Sequence, residues 1–589
     1  MNKLYRLTLI KQTLLSASLI SIASACGGGS DEQSEVGVLT SAQNPSSLII
    51  ETFKASEAVL TPNIPTEGCD NNTTDESKAF NDVSKSAGLC YETSKTPEDS
   101  TASRVAGGIA VNDYNSDGLL DIYVTHGRNT SGKLLSLNND NSFSDVTEQA
   151  GISVQSTDHG GIFFDINNDG YTDLISVQEA PSLLQVFANL GDGTFSEITD
   201  STGLNLTKVA YTIAAGDHDL DGDLDLMFAH WRPDEEQNSR EYLWQNQGDA
   251  TFQDISEMIE IGKFEAGSEG QEPVNEFEYS FTPIFADINN DQYPDLLVAS
   301  DWGSSQTFIN NGGTALTNTT TFTINDRAGM GAAVADYDND GDLDWFVSSI
   351  GDTREQFLRV GLFDGNRLYQ NDGMGNFTNV TDTAGVRQGY WGWGSCFADF
   401  NSDGYEDLFI VNGFDGMSED DPNRQTYIPF IVDRAVLYIN NQDGTFTERG
   451  VELGITHTAM GKGLACYDYD RDGDLDMLIA NNGESPSLFR NNNFSENNNF
   501  LNIRLKGLAK NPQAVGAKIY ITIDGKTQVR ELQLGNNYVS QNPVEAHFGL
   551  GASQIVSKIR IVWPGLTAGE NELVEIEANQ FLLIHQPEF

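Results

Sequence analysis

Asp468-Tyr469-Asp470-Arg471-Asp472-Gly473-Asp474-Leu475-Asp476 puts a carboxylate at every second position and a glycine at the sixth. Six more nine-residue stretches follow the same pattern, starting at Asp113, Asp165, Asp217, Asp287, Asp336 and Asp399. Successive starts lie 52, 52, 70, 49, 63 and 69 residues apart. A Gly/Ala-rich apolar stretch such as 461–467 precedes each copy, and a short apolar run such as Asp225-Leu226-Met227-Phe228 follows it. Then come a segment like Leu368-Tyr369-Gln370-Asn371, usually a turn like Gly191-Asp192-Gly193-Thr194, and a segment like Phe143-Ser144-Asp145.

Runs of four to six residues between Gly/Asn/Asp turns are the pattern of strands in hairpins. Each repeat supplies four strands, one blade of a propeller. The sequence therefore predicts an all-β fold built on a seven-bladed β-propeller. The Phe-x-x segments begin at Phe80, Phe143, Phe195, Phe252, Phe322, Phe377 and Phe446, so the first precedes the first loop. The last repeat has none of its own, and Phe80-Asn81-Asp82-Val83 is predicted to complete its blade and close the ring.

The loops present oxygen donors at positions 1, 3, 5 and 9, with a main-chain carbonyl at position 7 and a sharp turn at position 6. Calcium takes six to eight oxygens in a flexible shell, which this spacing can supply. The predicted ligands are Asp113, Asn115, Asp117 and Asp121; Asp165, Asn167, Asp169 and Asp173; Asp217, Asp219, Asp221 and Asp225; Asp287, Asn289, Asp291 and Asp295; Asp336, Asp338, Asp340 and Asp344; Asp399, Asn401, Asp403 and Asp407; and Asp468, Asp470, Asp472 and Asp476. Zinc or copper would need His or Cys at these positions. His218, at position 2, is expected to point into solvent. An EF-hand needs a carboxylate at position 12, where three of these loops hold Val124, Phe228 and Val347. Up to seven ions are expected. The Asp287 loop should be the weakest, because Gln292 stands where the others have glycine and a left-handed backbone costs a non-Gly residue about 1–2 kcal/mol.

The formal net charge is −54. Such a surface repels nucleic acid and anionic lipid, whose binding needs clustered Lys and Arg. The loops hold 28 of the 87 carboxylates, so bound metal accounts for only part of the acidity and a salt-adapted surface accounts for the rest. Lys3, Arg6 and Lys11, an apolar stretch over 14–22 and Ala23-Ser24-Ala25-Cys26 read as a lipoprotein signal peptide over 1–25, with Cys26 the acylated residue. Gly27 after it suggests sorting to a bacterial outer membrane or cell surface, with membrane contact only through the lipid. Residues 26–75 read as a flexible tether. Export permits disulfides. Cys69 and Cys90 can close a short loop. Cys396 and Cys466 occupy nearly equivalent places in two repeats, either as a bridge or as buried thiols.

The loops and their strand context resemble FG-GAP/VCBS repeats, the type found in integrin α-subunit propellers. Asn511, Gly516-Ala517-Lys518, His547-Phe548-Gly549-Leu550-Gly551 and Val562-Trp563-Pro564 resemble the ASPIC/UnbV domain. The pair together is similar to bacterial relatives of cartilage acidic protein 1. This resemblance implies an extracellular calcium-binding protein linked to adhesion or matrix contact. It assigns the propeller to 76–497 and a small ASPIC/UnbV β domain to 498–589. Short alternating runs after the Asn-rich 491–499 independently predict a separate small β unit.

The acidic loops and the Gly-Asp-Gly-Thr turns fall on one face of such a ring. Long insertions over 230–240, 259–278, 350–367 and 413–434 fall on the other, where function concentrates on rigid scaffolds. Trp231, Trp302, Tyr390, Trp391 and Trp393 are the candidate ligand-binding residues there, since aromatic faces stack on sugars and cations. Blade packing is the competing role for these side chains. No nucleophile elbow, zinc-protease or phosphate-loop signature occurs. The expected function is binding or adhesion to an extracellular glycan or protein. A polysaccharide lyase or hydrolase, or a structural subunit of an envelope uptake complex, is the alternative.

Overall fold

The computed structural model describes residues 36–37, 48–53, 75, 77–91, 101–127, 131–154, 157–179, 182–231, 242–260, 279–351, 364–414, 428–431, 433–492, 494 and 497–587. Cys26, Cys69, the signal peptide and much of the four insertions lie outside these residues.

The fold is all-β and rich in four-stranded antiparallel sheets. The first sheet shows the local logic: Ile109–Asn112, Asp121–Val124, Lys133–Leu137 and Phe143–Asp145 pair in order. The acidic loop joins its first two strands, both buried along their whole length. Five sheets repeat this plan, two of them with a fifth strand added, Ile259–Glu260 in the fourth sheet and Ile350–Gly351 in the sixth. Their first strands are Asp158–Phe164, Ile213–Gly216, Ser280–Ala286, Ala332–Ala335 and Tyr390–Ala398.

The seventh sheet joins Gly461–Tyr467, Asp476–Asn481 and Ser487–Asn491 to Phe80–Asp82, with Phe80 opposite Asn491. Neighbouring first strands touch all the way round, and Gly461–Tyr467 returns to Ile109–Asn112. The seven sheets form a closed ring whose first strands face inward.

Several expectations need correction. The strand that follows Gln306–Asn310 in the fourth sheet is Leu316–Asn318, with Ile259–Glu260 parallel to it on the outside, and no strand starts at Phe322, which is 64% exposed. Leu316 takes the place opposite Asn310 that Phe377 takes opposite Asn371, and the Gly312-Gly313 turn sets that register. Of the two roles open to Cys396 and Cys466 the bridge is the one found: they are bonded to each other and join the first strands of the sixth and seventh sheets. Cys90 is disulfide-bonded.

The stretch read as a flexible tether contains a strand, Ile50–Phe53, which pairs with Gln580–His585. Leu48 and Ile50 are 1% and 4% exposed, so burial of these apolar side chains fixes the segment.

The C-terminal residues form two sheets. One runs Val36–Gly37, Ile50–Phe53, Gln580–His585, Asn499–Lys506, Ala546–Gly551. The other runs Lys526–Glu531, Lys518–Ile523, Ile555–Val562, Glu570–Glu577. Leu501, Ile503, Ile519, Ile521, Ile561 and Trp563 fill the space between them. The same apolar cluster continues into Ile162, Phe164 and Leu226 of the ring, so this unit shares a core with the ring and does not stand apart.

Candidate functional site: the loop face and the filled channel

All seven loops fold alike. The position-1 carboxylate accepts the position-6 N–H, from Gly118 N–H to Asp113 Oδ2 (3.0 Å) through to Gly473 N–H to Asp468 Oδ2 (2.9 Å). The position-9 carboxylate accepts the N–H of the residue ending the third strand, as from Asn371 to Asp344 (2.8 Å). Positions 4 and 6 both have positive φ in every loop. The glycine at 6 announced this, but position 4 did not: it holds Ser116, Asn168, Leu220, Asn290, Asn339, Ser402 and Arg471. Its one sequence signal is asparagine, which tolerates the left-handed region.

A second set of residues escaped the sequence reading. In six sheets the third strand ends in Asn189, Asn246, Asn310, Asn371, Asn440 or Asn491. Each side-chain amide donates to the position-2 carbonyl of the preceding loop, as Asn371 Nδ2 does to Ile288 O (2.8 Å). Asparagine thus links loop to loop around the ring. Leu137 occupies this place in the first sheet, so the seventh-to-first junction lacks the link.

The loops crowd carboxylates. Oxygens of Asp217, Asp219 and Asp221 lie within 4.8 Å of one another, as do those of Asp336, Asp338 and Asp344, and of Asp468, Asp470 and Asp476. These clusters could hold a metal ion. Burial pushes the carboxyls of Asp121, Asp217, Asp336 and Asp399 up to about 8. Asp121 Oδ2, Asp217 Oδ1, Asp344 Oδ2 and Asp470 Oδ1 are buried without a hydrogen-bond partner, and all four are at predicted ligand positions. Unpaired buried anionic oxygens are costly unless a cation meets them, and an all-oxygen set suits calcium. His218 does not point outward. It is 2% exposed and its Nδ1 lies 2.5 Å from Asp225 Oδ2, because position 2 faces the next sheet.

The C-terminal sheets sit on this loop face. Lys510 Nζ donates to Asp221 O (3.1 Å) and pairs with Asp223 (2.7 Å). Gly551 N–H donates to Ser402 O (2.9 Å) and His547 Nε2 to Gly473 O (2.9 Å). Arg471 pairs with buried Glu545 at 3.1 Å. A cavity of about 110 Å³ between ring and C-terminal sheets is walled by Asp399, Glu406, Tyr467, Arg530, Asn536 and His547.

Residues 532–543 run from these sheets into the ring. Gln541 N–H donates to Ile109 O (2.8 Å), and its side chain accepts from Phe163 N–H (2.7 Å) and donates to Phe163 O (3.1 Å). Ala215 N–H donates to Leu534 O (3.0 Å), Asn537 Nδ2 to Leu464 O (3.1 Å) and Tyr538 OH to Val105 O (2.7 Å). Tyr538 also meets Phe281 and Trp393, with ring centroids 5.5 and 5.2 Å away. The segment therefore touches the inner strands of six sheets and fills the channel. This explains three of the inner-strand glycines: a Cβ at Gly108 would lie 1.8 Å from Val539 O, one at Gly160 3.1 Å from the same oxygen, and one at Gly463 2.1 Å from Ser540 Oγ.

The aromatic candidates divide accordingly. Trp393 is 2% exposed, donates Nε1–H to Gly413 O (2.9 Å) and packs on the channel segment, so its role is packing. Trp391 is half-buried and stacked on Phe414, and Trp231 is half-buried and stacked on Phe281. Tyr390 is half-buried with φ 55°, and Trp302, with φ 57°, is 54% exposed. Trp231 Nε1–H reaches Asp301 (3.2 Å), next to Trp302.

A family model described as FG-GAP-like repeat matches residues 113–176, 165–228, 287–347 and 351–410, and one described as ASPIC and UnbV matches 507–589. These matches and the repeated loops define the class: a protein of FG-GAP repeats with a C-terminal ASPIC/UnbV domain. Within that class the chain is weakly homologous to cartilage acidic protein 1. It is 26% identical over 271 residues to that of Xenopus tropicalis, covering 38% of this chain and 41% of the relative. It is 24% identical over 270 residues to that of Homo sapiens, covering 44% and 36%. The chain spans about two fifths of the length of these relatives. Among solved structures it is similar to an Agrocybe aegerita lectin described as recognising non-reducing terminal N-acetylglucosamine (18% identity, 67% of this chain and 92% of that one, TM-score 0.33). It is also similar to YCF48 from Cyanidioschyzon merolae (7%, 66% and 95%, TM-score 0.38).

Proposed function

We propose that the ring is a seven-bladed β-propeller whose acidic loops bind calcium, and that it works as an exported, lipid-anchored module that binds an extracellular glycan or protein. The four orphaned carboxylate oxygens support the metal reading. Cys26 is the proposed lipid site, with an outer-membrane or cell-surface location.

One observation carries the placement of the ligand: the C-terminal sheets occupy part of the loop face, against the loops starting at Asp217, Asp287, Asp399 and Asp468, and residues 532–543 fill the channel. The opposite face carries the accessible aromatic side chains of the insertions: Trp302 is 54% exposed, and Trp231, Tyr390 and Trp391 are half-buried. Aromatic faces beside a carboxylate such as Asp301 suit stacking on a sugar with hydrogen bonds to its hydroxyls. The chain acts by binding, with no catalytic residue assigned.

The test passes the protein from residue 27 onward over immobilised polysaccharides and matrix proteins, with calcium and then with chelator. Calcium-dependent retention of intact polymer, lost in Trp302→Ala at unchanged melting temperature, is the expected result. Retention unaffected by Trp302→Ala and Trp391→Ala contradicts the assigned face. Release of shortened polymer contradicts the binding role and makes the protein an enzyme.

A further inference from the structure

The Asp287 loop differs from its six counterparts in what touches its first carboxylate. Among the described residues, the other six position-1 carboxylates accept hydrogen bonds only from their own loops. Asp287 accepts from its own loop and also from Lys518 of the C-terminal sheets, at 2.9 Å on Oδ2. The same ammonium donates to Asp287 O (2.9 Å) and to Asn290 Oδ1 (3.0 Å). A lysine ammonium has three N–H donors, and this loop supplies an acceptor for each.

The arrangement is buried and fixed. Side-chain exposure is 8% for Lys518, 9% for Asp287 and 3% for Glu531, whose carboxylate lies 3.7 Å from the ammonium and accepts the Asp287 N–H. Lys510, a second lysine at a loop, pairs with Asp223 at position 7, whose side chain is not a predicted ligand. At the Asp287 loop a divalent ion would share its anchoring carboxylate with a charge of the same sign that cannot leave without opening the domain interface. The loop also lacks the position-6 glycine: Gln292 is held at φ 76°.

We infer that the Asp287 loop holds the Lys518 ammonium in place of a calcium ion and serves as the socket that fastens the C-terminal domain to the ring. The other loops keep the metal role. The inference rests on the reading of those loops as calcium sites.

Native mass spectrometry of the full mature chain in calcium, after desalting, counts bound ions in the unsubstituted protein and in two single variants. Asp336→Asn should lower the count by one, and Asp287→Asn should leave it unchanged. A count that falls by one in Asp287→Asn overturns the inference. No ion bound to any variant or to the unsubstituted chain overturns the calcium reading itself, so the two failures are distinct. Lys518→Met, of similar length and uncharged, should add one ion. If that variant fails to fold, the comparison of the two aspartate variants still decides.

Discussion

The ring of Tyr538 lies 5.2 Å from that of Trp393, one from the C-terminal domain and the other from the inner strand of the sixth sheet. The contact lies at the far end of a channel segment that begins on the loop face. It ties the two faces of the ring together and makes the C-terminal domain part of the ring's core.

Gly108→Ala tests the channel segment. A Cβ there would lie 1.8 Å from Val539 O, a main-chain atom that cannot rotate away. Overpacking of this kind costs about 1–3 kcal/mol. Urea unfolding should show a loss of this size. Gly444→Ala is no neutral control, because its φ is 80°. Gln253→Ala, at an exposed strand position, is the better comparison, expected within about 0.5 kcal/mol of the parent.

Asn371→Ala removes the donor to Ile288 O (2.8 Å) and to Leu343 O (3.1 Å), leaving two buried carbonyls without it. The expected loss is about 1–3 kcal/mol. An unchanged unfolding midpoint contradicts a structural role for the asparagine links.

The metal-free protein should lose stability as pH rises. Burial holds the carboxyls of Asp121, Asp217, Asp336 and Asp399 at about 8, against about 4 in the unfolded chain. Between these values the folded state binds more protons, so its advantage is full below pH 4 and is lost as pH climbs through 8. With calcium the slope reverses, since protons compete with the metal. Melting temperatures at pH 5 and pH 8, with chelator and with calcium, should therefore move in opposite directions.

Replacing both Cys396 and Cys466 by Ser removes a cross-link spanning 70 residues. Chain entropy sets the expected loss at about 4 kcal/mol or somewhat less. Denaturation of the double variant beside the oxidised parent measures it.

The sequence made the ring legible because its evidence is local. A nine-residue loop and a displaced Phe80 segment need no long-range knowledge, and Phe80 does pair with Asn491. The failures come from contacts that a repeat cannot announce. Trp393 looked like a surface aromatic because Tyr538, its partner, lies 145 residues further on in an unrelated segment. Leu48 and Ile50 looked like tether because the sheet they join is completed at the other end of the chain. Phe322 fits the repeat's Phe-x-x pattern, whereas the Gly312-Gly313 turn sets the strand at Leu316. Position 2 of so polar a loop reads as outward-pointing at His218, yet it is turned inward by the position-9 carboxylate that takes its N–H.

The metal role proposed for these loops is open to direct measurement. An anomalous difference map from crystals grown in calcium tests it most directly. Peaks are expected between positions 1, 3, 5 and 9 of the loops, including those starting at Asp217, Asp336 and Asp468, with no peak at the Asp287 loop. A well-ordered map with no peak in any loop would contradict that role.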